Sequence, residues 1–175
     1  MTLKNNNKGF SLVELLTVIA IMGVAVSLVG ASFLSLYRAR SQRAAETLDA
    51  VISQCKIDTM SGLNCEVRVE LDDGDYYARL YRFDEADDGS ISETVYKSEK
   101  LASDSLTVSA GGASVGTDSV LNIRFNRSTG AIASAGCGSV SNIFGSGVTA
   151  VITMASTGTH TITLYRTTGE HVLDA

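Results

Sequence analysis

From Leu15 to Leu34 the chain carries no charged residue, and no other stretch constrains its fold as much. Those twenty residues, at about 1.5 Å of helical rise each, make a rod of roughly 30 Å, the hydrocarbon thickness of a bilayer. The apolar character runs on to Leu36, and the one charge near its start is Glu14. A carboxylate on a lipid-facing helix costs about 2.5–3.5 kcal/mol on insertion scales, so Glu14 calls for a partner of opposite charge. A secretory signal peptide has an apolar run of about 7–15 residues with a small-residue cleavage site after it. Here the run is longer, and the small residue, Gly9, comes before it.

The residues around that start, Lys8-Gly9-Phe10-Ser11-Leu12-Val13-Glu14, resemble the cleavage and methylation motif of type IV pilins and type II secretion pseudopilins. The resemblance implies a leader of residues 1–9, cut after Gly9 by a prepilin peptidase on the cytoplasmic side. It implies N-methylation of the new Phe10 amine, and it gives Glu14 a partner in the Phe10 ammonium of a neighbouring filament subunit. Residues 10–37 would then be a transmembrane and assembly helix, and residues 38–175 an extracytoplasmic domain. Lys4 and Lys8 precede the span while Arg38, Arg40 and Arg43 follow it, so charge alone does not orient the chain. The resemblance does: leader inside, domain outside, in a single-pass protein of the cytoplasmic (inner) membrane that later enters a pilus or pseudopilus. Its implied partners are other pilin or pseudopilin subunits, the prepilin peptidase/methyltransferase and the membrane, and no cofactor is implied.

Length allows one domain plus an anchor. Loss of the leader takes fourteen basic residues to twelve against nineteen acidic, moving the formal charge from −5 to −7. Such a charge disfavours nucleic acid and anionic lipid as electrostatic partners. Glycine, serine and threonine gather in the second half with β-branched residues, and proline is absent. That composition suits an exported β-rich domain and lacks the charge density of a disordered tail.

Beyond the span, Ala44, Ala45, Leu48, Val51, Ile52 and Cys55 recur at three- and four-residue steps. This predicts that one helix runs from Phe10 to Met60, apolar all round at first and amphipathic later, with Ser61-Gly62 as its stop. From Cys65 the period becomes two. Val67, Val69 and Leu71 predict a strand, Asp72-Asp73-Gly74-Asp75 a turn, and Tyr76–Phe83 the return strand of a hairpin. Weaker strands are expected around Thr94–Tyr96 and Leu106–Val108, and a flexible loop at Ala110–Ala113. Val120–Asn126 should turn through Ser128–Gly130 into Ala131–Ala133, and residues 134–147 should form a Gly/Ser-rich loop holding Cys137. Val148–Met154 and His160–Arg166 read as a second hairpin, with a last short strand at His171–Leu173. The expected fold is therefore α+β and pilin-like, a long N-terminal helix packed on an antiparallel sheet. Ile123-Arg124-Phe125 with Gly130, and Thr161–Leu164 with Gly169, resemble the β-domain of minor pilins and pseudopilins of the H/T kind.

Catalysis needs a nucleophile with a base, paired carboxylates in a cleft, or metal ligands. The two histidines, His160 and His171, sit in predicted strands, and no metal-spaced cysteines occur, so the chain reads as structural and not as an enzyme. The acidic turn Asp84–Gly89 falls short of a calcium loop, because Ala86 interrupts it and Val95 stands where a glutamate is needed. Some minor pilins of the H/T kind bind DNA in competence systems, and by that resemblance Arg124, Arg127 and Arg166 are the candidate contacts. Of three cysteines, Cys55 belongs to the helical stripe as a buried thiol, and Cys65 with Cys137 is the preferred disulfide.

Overall fold

A computed structural model describes residues 11–85, 89–103, 106–156 and 158–174, with the backbone alone for 27–38. The elements are α1 (Leu12–Ser61) followed by ten strands. These are β1 (Cys65–Asp72), β2 (Asp75–Glu85), β3 (Ile91–Ser103), β4 (Thr107–Ala110) and β5 (Ala113–Ser114), then β6 (Leu121–Phe125), β7 (Ile132–Cys137), β8 (Thr149–Ala155), β9 (Thr159–Tyr165) and β10 (His171–Asp174). Contacts divide the chain into two units, Met1–Leu36 and Tyr37–Ala175.

In the first unit, α1 begins on a cap. The Ser11 carbonyl accepts from the Leu15 N–H at 3.1 Å and its hydroxyl from the Val13 N–H at 3.3 Å. Glu14 stands three residues on, the spacing of a capping box, where the helix dipole favours a negative charge. Leu12, Val13, Leu15, Leu16, Val18, Ile19, Ile21, Met22, Val24 and Val26 are all exposed, so no face of this segment is polar. Among the described residues no helix is long and apolar enough to cross a membrane. The expected span reaches residue 37, into side chains outside the described ones. Gly9 and Phe10 also lie outside them.

In the second unit, the stripe read from the sequence is the buried face of α1: Ala44, Ala45, Leu48, Val51, Ile52 and Cys55 are all at most 1% exposed. Full burial of a Leu or Ile side chain stabilises by roughly 1.5–3 kcal/mol, so this stripe anchors the helix on the core. Its end is a Schellman motif. Gly62 takes φ +115°, its N–H bonds the Thr59 carbonyl, and the Leu63 N–H bonds the Asp58 carbonyl.

The strands make two antiparallel sheets, where the sequence suggested one. The first runs β3-β2-β1-β6-β7 and the second β10-β9-β8-β4-β5. Their inner residues share a single core with α1: Val67, Val69, Leu80, Leu121 and Ile123 from one sheet, Val108, Ile152, Met154, Ile162 and Leu164 from the other. The β1–β2 turn has Asp73 and Gly74 at φ +49° and +79°, the signs of a type I′ hairpin. Ala110–Ala113 is no flexible loop. Gly111 and Gly112, at φ +60° and +86°, make a two-residue turn that pairs Ala110 with Ala113. β3 is longer than expected because it forms by pairing along β2 through two register shifts, not through its own apolar pattern.

β7 reaches Cys137, placing that residue in a strand and overturning the expected loop. The register also separates it from Cys65. Cys137 pairs with Leu121, and Leu121 with Val69, four residues along β1 from Cys65. That is about 13 Å along the strand and roughly 10 Å across, whereas a disulfide needs Cα atoms within about 7 Å. The Cys65–Cys137 pairing is therefore corrected.

Candidate functional site

The outward side of the first sheet carries a ladder of charges. Glu66 is buried, held by Arg68 Nε at 2.5 Å. Arg124 Nε lies 2.7 Å from the other carboxylate oxygen, but its N–H is not aimed there and makes no hydrogen bond. Arg68 also reaches Glu93, and its guanidinium stacks 4.2 Å from the Tyr81 ring centroid. Arg124 stacks likewise on Phe83. Arg79 bridges Glu70 at 2.6 Å and Asp72 at 2.5 Å, while the Tyr81 hydroxyl donates to Glu70. Burial, then the Glu70 carboxylate, pushes the Tyr81 phenol up.

A buried carboxylate left short of partners is costly. Arg68→Met keeps the stem packing and removes the aimed donor, so the urea midpoint should fall by the equivalent of about 1–2 kcal/mol. An unchanged midpoint would mean that Arg124 alone satisfies Glu66.

The arginines considered for DNA do not share one setting. Arg124 is committed to Glu66 and Phe83, and Arg127 packs its guanidinium over Gly62. Arg166 lies 5.9 Å from the Phe144 ring, beyond the seam where the Ile132 N–H bonds its carbonyl.

A serine, a histidine and an aspartate do meet: Ser53 Oγ is 2.8 Å and Asp49 Oδ1 3.5 Å from His171 Nε2. Both address the same nitrogen, and Nδ1 is buried without a partner. A nucleophilic relay needs the hydroxyl and the carboxylate on opposite ring nitrogens, so this cluster ties β10 to α1 and does not activate the serine. In the acidic turn, Asp84 pairs with Arg82 at 2.7 Å, while Ala86, Asp87 and Asp88 lie outside the described residues.

The two glycines of the loose strand–Gly pattern are brought into contact. A Cβ on Gly169 would stand 1.9 Å from the Gly130 carbonyl oxygen, and both glycines have positive φ. Lys56, from α1, donates to the Thr168 and Gly169 carbonyls at 3.0 and 3.1 Å. One joint thus fastens the β6–β7 turn, the β9–β10 turn and the helix. Nothing in the spacing of these residues along the chain announces that contact.

The cysteines gather differently from expectation. Cys55 Sγ lies 3.3 Å from Cys65 Sγ, with the Thr59 hydroxyl 3.1 Å from the latter, while Cys137 Sγ faces the Ala113 carbonyl. A signal for the first contact was present: the helix stop at Gly62 reverses the chain between Cys55 and Cys65.

The family described as Prokaryotic N-terminal methylation motif matches residues 4–30. That motif is the signature of type IV pilin and pseudopilin precursors. No curated protein and no solved structure matches the chain.

Proposed function

We propose that the chain is the precursor of a structural filament subunit, a minor pilin or pseudopilin. It is cleaved after Gly9 and N-methylated at Phe10. Residues 10–37 wait in the cytoplasmic membrane with the leader inside, then pack against the helices of sibling subunits in a type IV pilus or secretion pseudopilus. Residues 38–175 remain outside the cytoplasm. The observation that carries the reading is the methylation motif at residues 4–30 on a helix start with no polar face from Leu12 to Val26. Exposed apolar surface of that extent demands lipid or other helices around it. In either surrounding Glu14 needs a cation, and the Phe10 ammonium of a neighbour supplies one. The pairing of Arg124 with Glu66 weighs against a DNA-binding role.

The test is the mature terminus. Gly9→Val should keep the leader on at least nine molecules in ten, read by intact mass of the membrane fraction. A terminus at Phe10 in that variant would refute the cleavage site.

A further inference from the structure

Cys55 sits near the end of α1 and Cys65 opens β1, and the Schellman reversal at Asp58–Leu63 folds one back onto the other. Their sulfurs are 3.3 Å apart, 0% and 2% exposed as residues. A disulfide bond is about 2.05 Å long, so closure asks for a shift of a little over an ångström, within reach of side-chain rotation. Cys137 is excluded as a partner of Cys65 by the register of β1, β6 and β7, and its sulfur faces the Ala113 carbonyl.

We propose that Cys55 and Cys65 form a disulfide in the mature protein, stapling the end of α1 to the first residue of β1, with Cys137 left as a thiol. The inference rests on the exported placement above, because the cytoplasm keeps thiols reduced. The oxidant is a protein or small-molecule disulfide. The Cys65 thiolate attacks one of its sulfurs, forming a mixed disulfide and releasing the first oxidant thiolate. Cys55 gives its proton to solvent and attacks the Cys65 sulfur, expelling the second. Two thiols lose two electrons and two protons, and the oxidant's disulfide is reduced to two thiols. Once the two sulfurs meet, the Cys55 S–H, then the Thr59 hydroxyl, donate to Cys65 and draw its thiol down against the cost of burial, which favours Cys65 as the thiolate. The same contact pushes Cys55 up. Because both sulfurs end up sealed, the exchange occurs as the helix end docks, and the finished bond is shielded from reductant.

The full chain, taken from the membrane fraction and denatured in an alkylating agent without reductant, should gain one adduct, on Cys137. After reduction it should gain three. Peptide mapping should show Cys55 linked to Cys65, and reduction should lower the melting temperature by on the order of 10 °C in wild type and not in Cys55→Ser. The same mass spectrum reads the terminus and separates the two ideas. Three adducts without reduction on molecules beginning at Phe10 would overturn the disulfide and leave the export reading intact. Three adducts on molecules that keep residues 1–9 would remove the export premise and the disulfide with it. Oxidised glutathione added to the purified full chain gives a second readout: a Cys55–Cys65 link supports the geometry, and a link through Cys137 overturns it.

Discussion

Gly169→Ala should destabilise the domain by about 3–5 kcal/mol, among the largest effects available to a single methyl group here. Two costs combine. At φ +60° an alanine is held in the left-handed region, which costs about 1–2 kcal/mol. Its Cβ would also overlap the Gly130 carbonyl oxygen at 1.9 Å, a backbone atom that no rotamer change can move aside. Relief requires the β6–β7 and β9–β10 turns to part, which breaks the Lys56 bonds to Thr168 and Gly169 as well. Against a typical domain stability of about 5–15 kcal/mol this leaves a marginal fold. Gly74→Ala is the control: φ there is +79°, yet nothing lies within 4 Å of the added carbon. It should cost only the backbone term of about 1–2 kcal/mol. Urea midpoints of the full chain in detergent check both, and equal losses at the two sites would show that the close approach is not the cause.

What the sequence let one read, and what it hid, follows from the range of the interactions. The stripe from Ala44 to Cys55, the stop at Gly62 and the Asp73-Gly74 hairpin are local, each set by a period or by one residue's backbone freedom. The extent of β3 was hidden because its residues from Ile91 to Lys100 are mostly exposed, so no buried face marks them. Pairing along β2 decides their conformation. Cys137 was misread because Gly136 and Gly138 flank it, while β6 supplies the ladder that makes it a strand. The division into two sheets depends on β4 choosing β8, forty residues on, over the β2–β3 hairpin before it. In the candidate site, Glu14 was legible as a lone acid at the front of an apolar run. The meeting of Gly130 with Gly169 was not, since it is made by two turns far apart in the chain.

Glu14→Gln should abolish filament incorporation, lowering it tenfold or more, while export and cleavage at Gly9 proceed. The choice of glutamine separates two roles for the residue. Glu14 is placed as the third helical residue after Ser11, and glutamine serves a capping box as well as glutamate does. If capping were its whole contribution, Glu14→Gln would assemble normally and Glu14→Ala would lose about 0.3–1.5 kcal/mol of local helix stability. If the carboxylate answers a neighbour's ammonium in a dry bundle, glutamine fails as alanine does, because only the charge offsets burial of that ammonium. Sheared filaments quantified against the membrane-retained pool give the ratio directly. Normal incorporation of the glutamine variant would remove the ion pair from the proposal.

The joint at Lys56 has a mechanical corollary. A tensile load entering the domain along α1 meets the buried stripe, the Lys56 bonds to Thr168 and Gly169, and the Ser53–His171 contact. Those attachments run along the helix from Ala44 to Lys56 and hold the turn end of the β9–β10 hairpin, so a pull along the helix axis loads them side by side. In the filament proposed above, a load of that kind would be resisted in shear, the direction in which many weak bonds add.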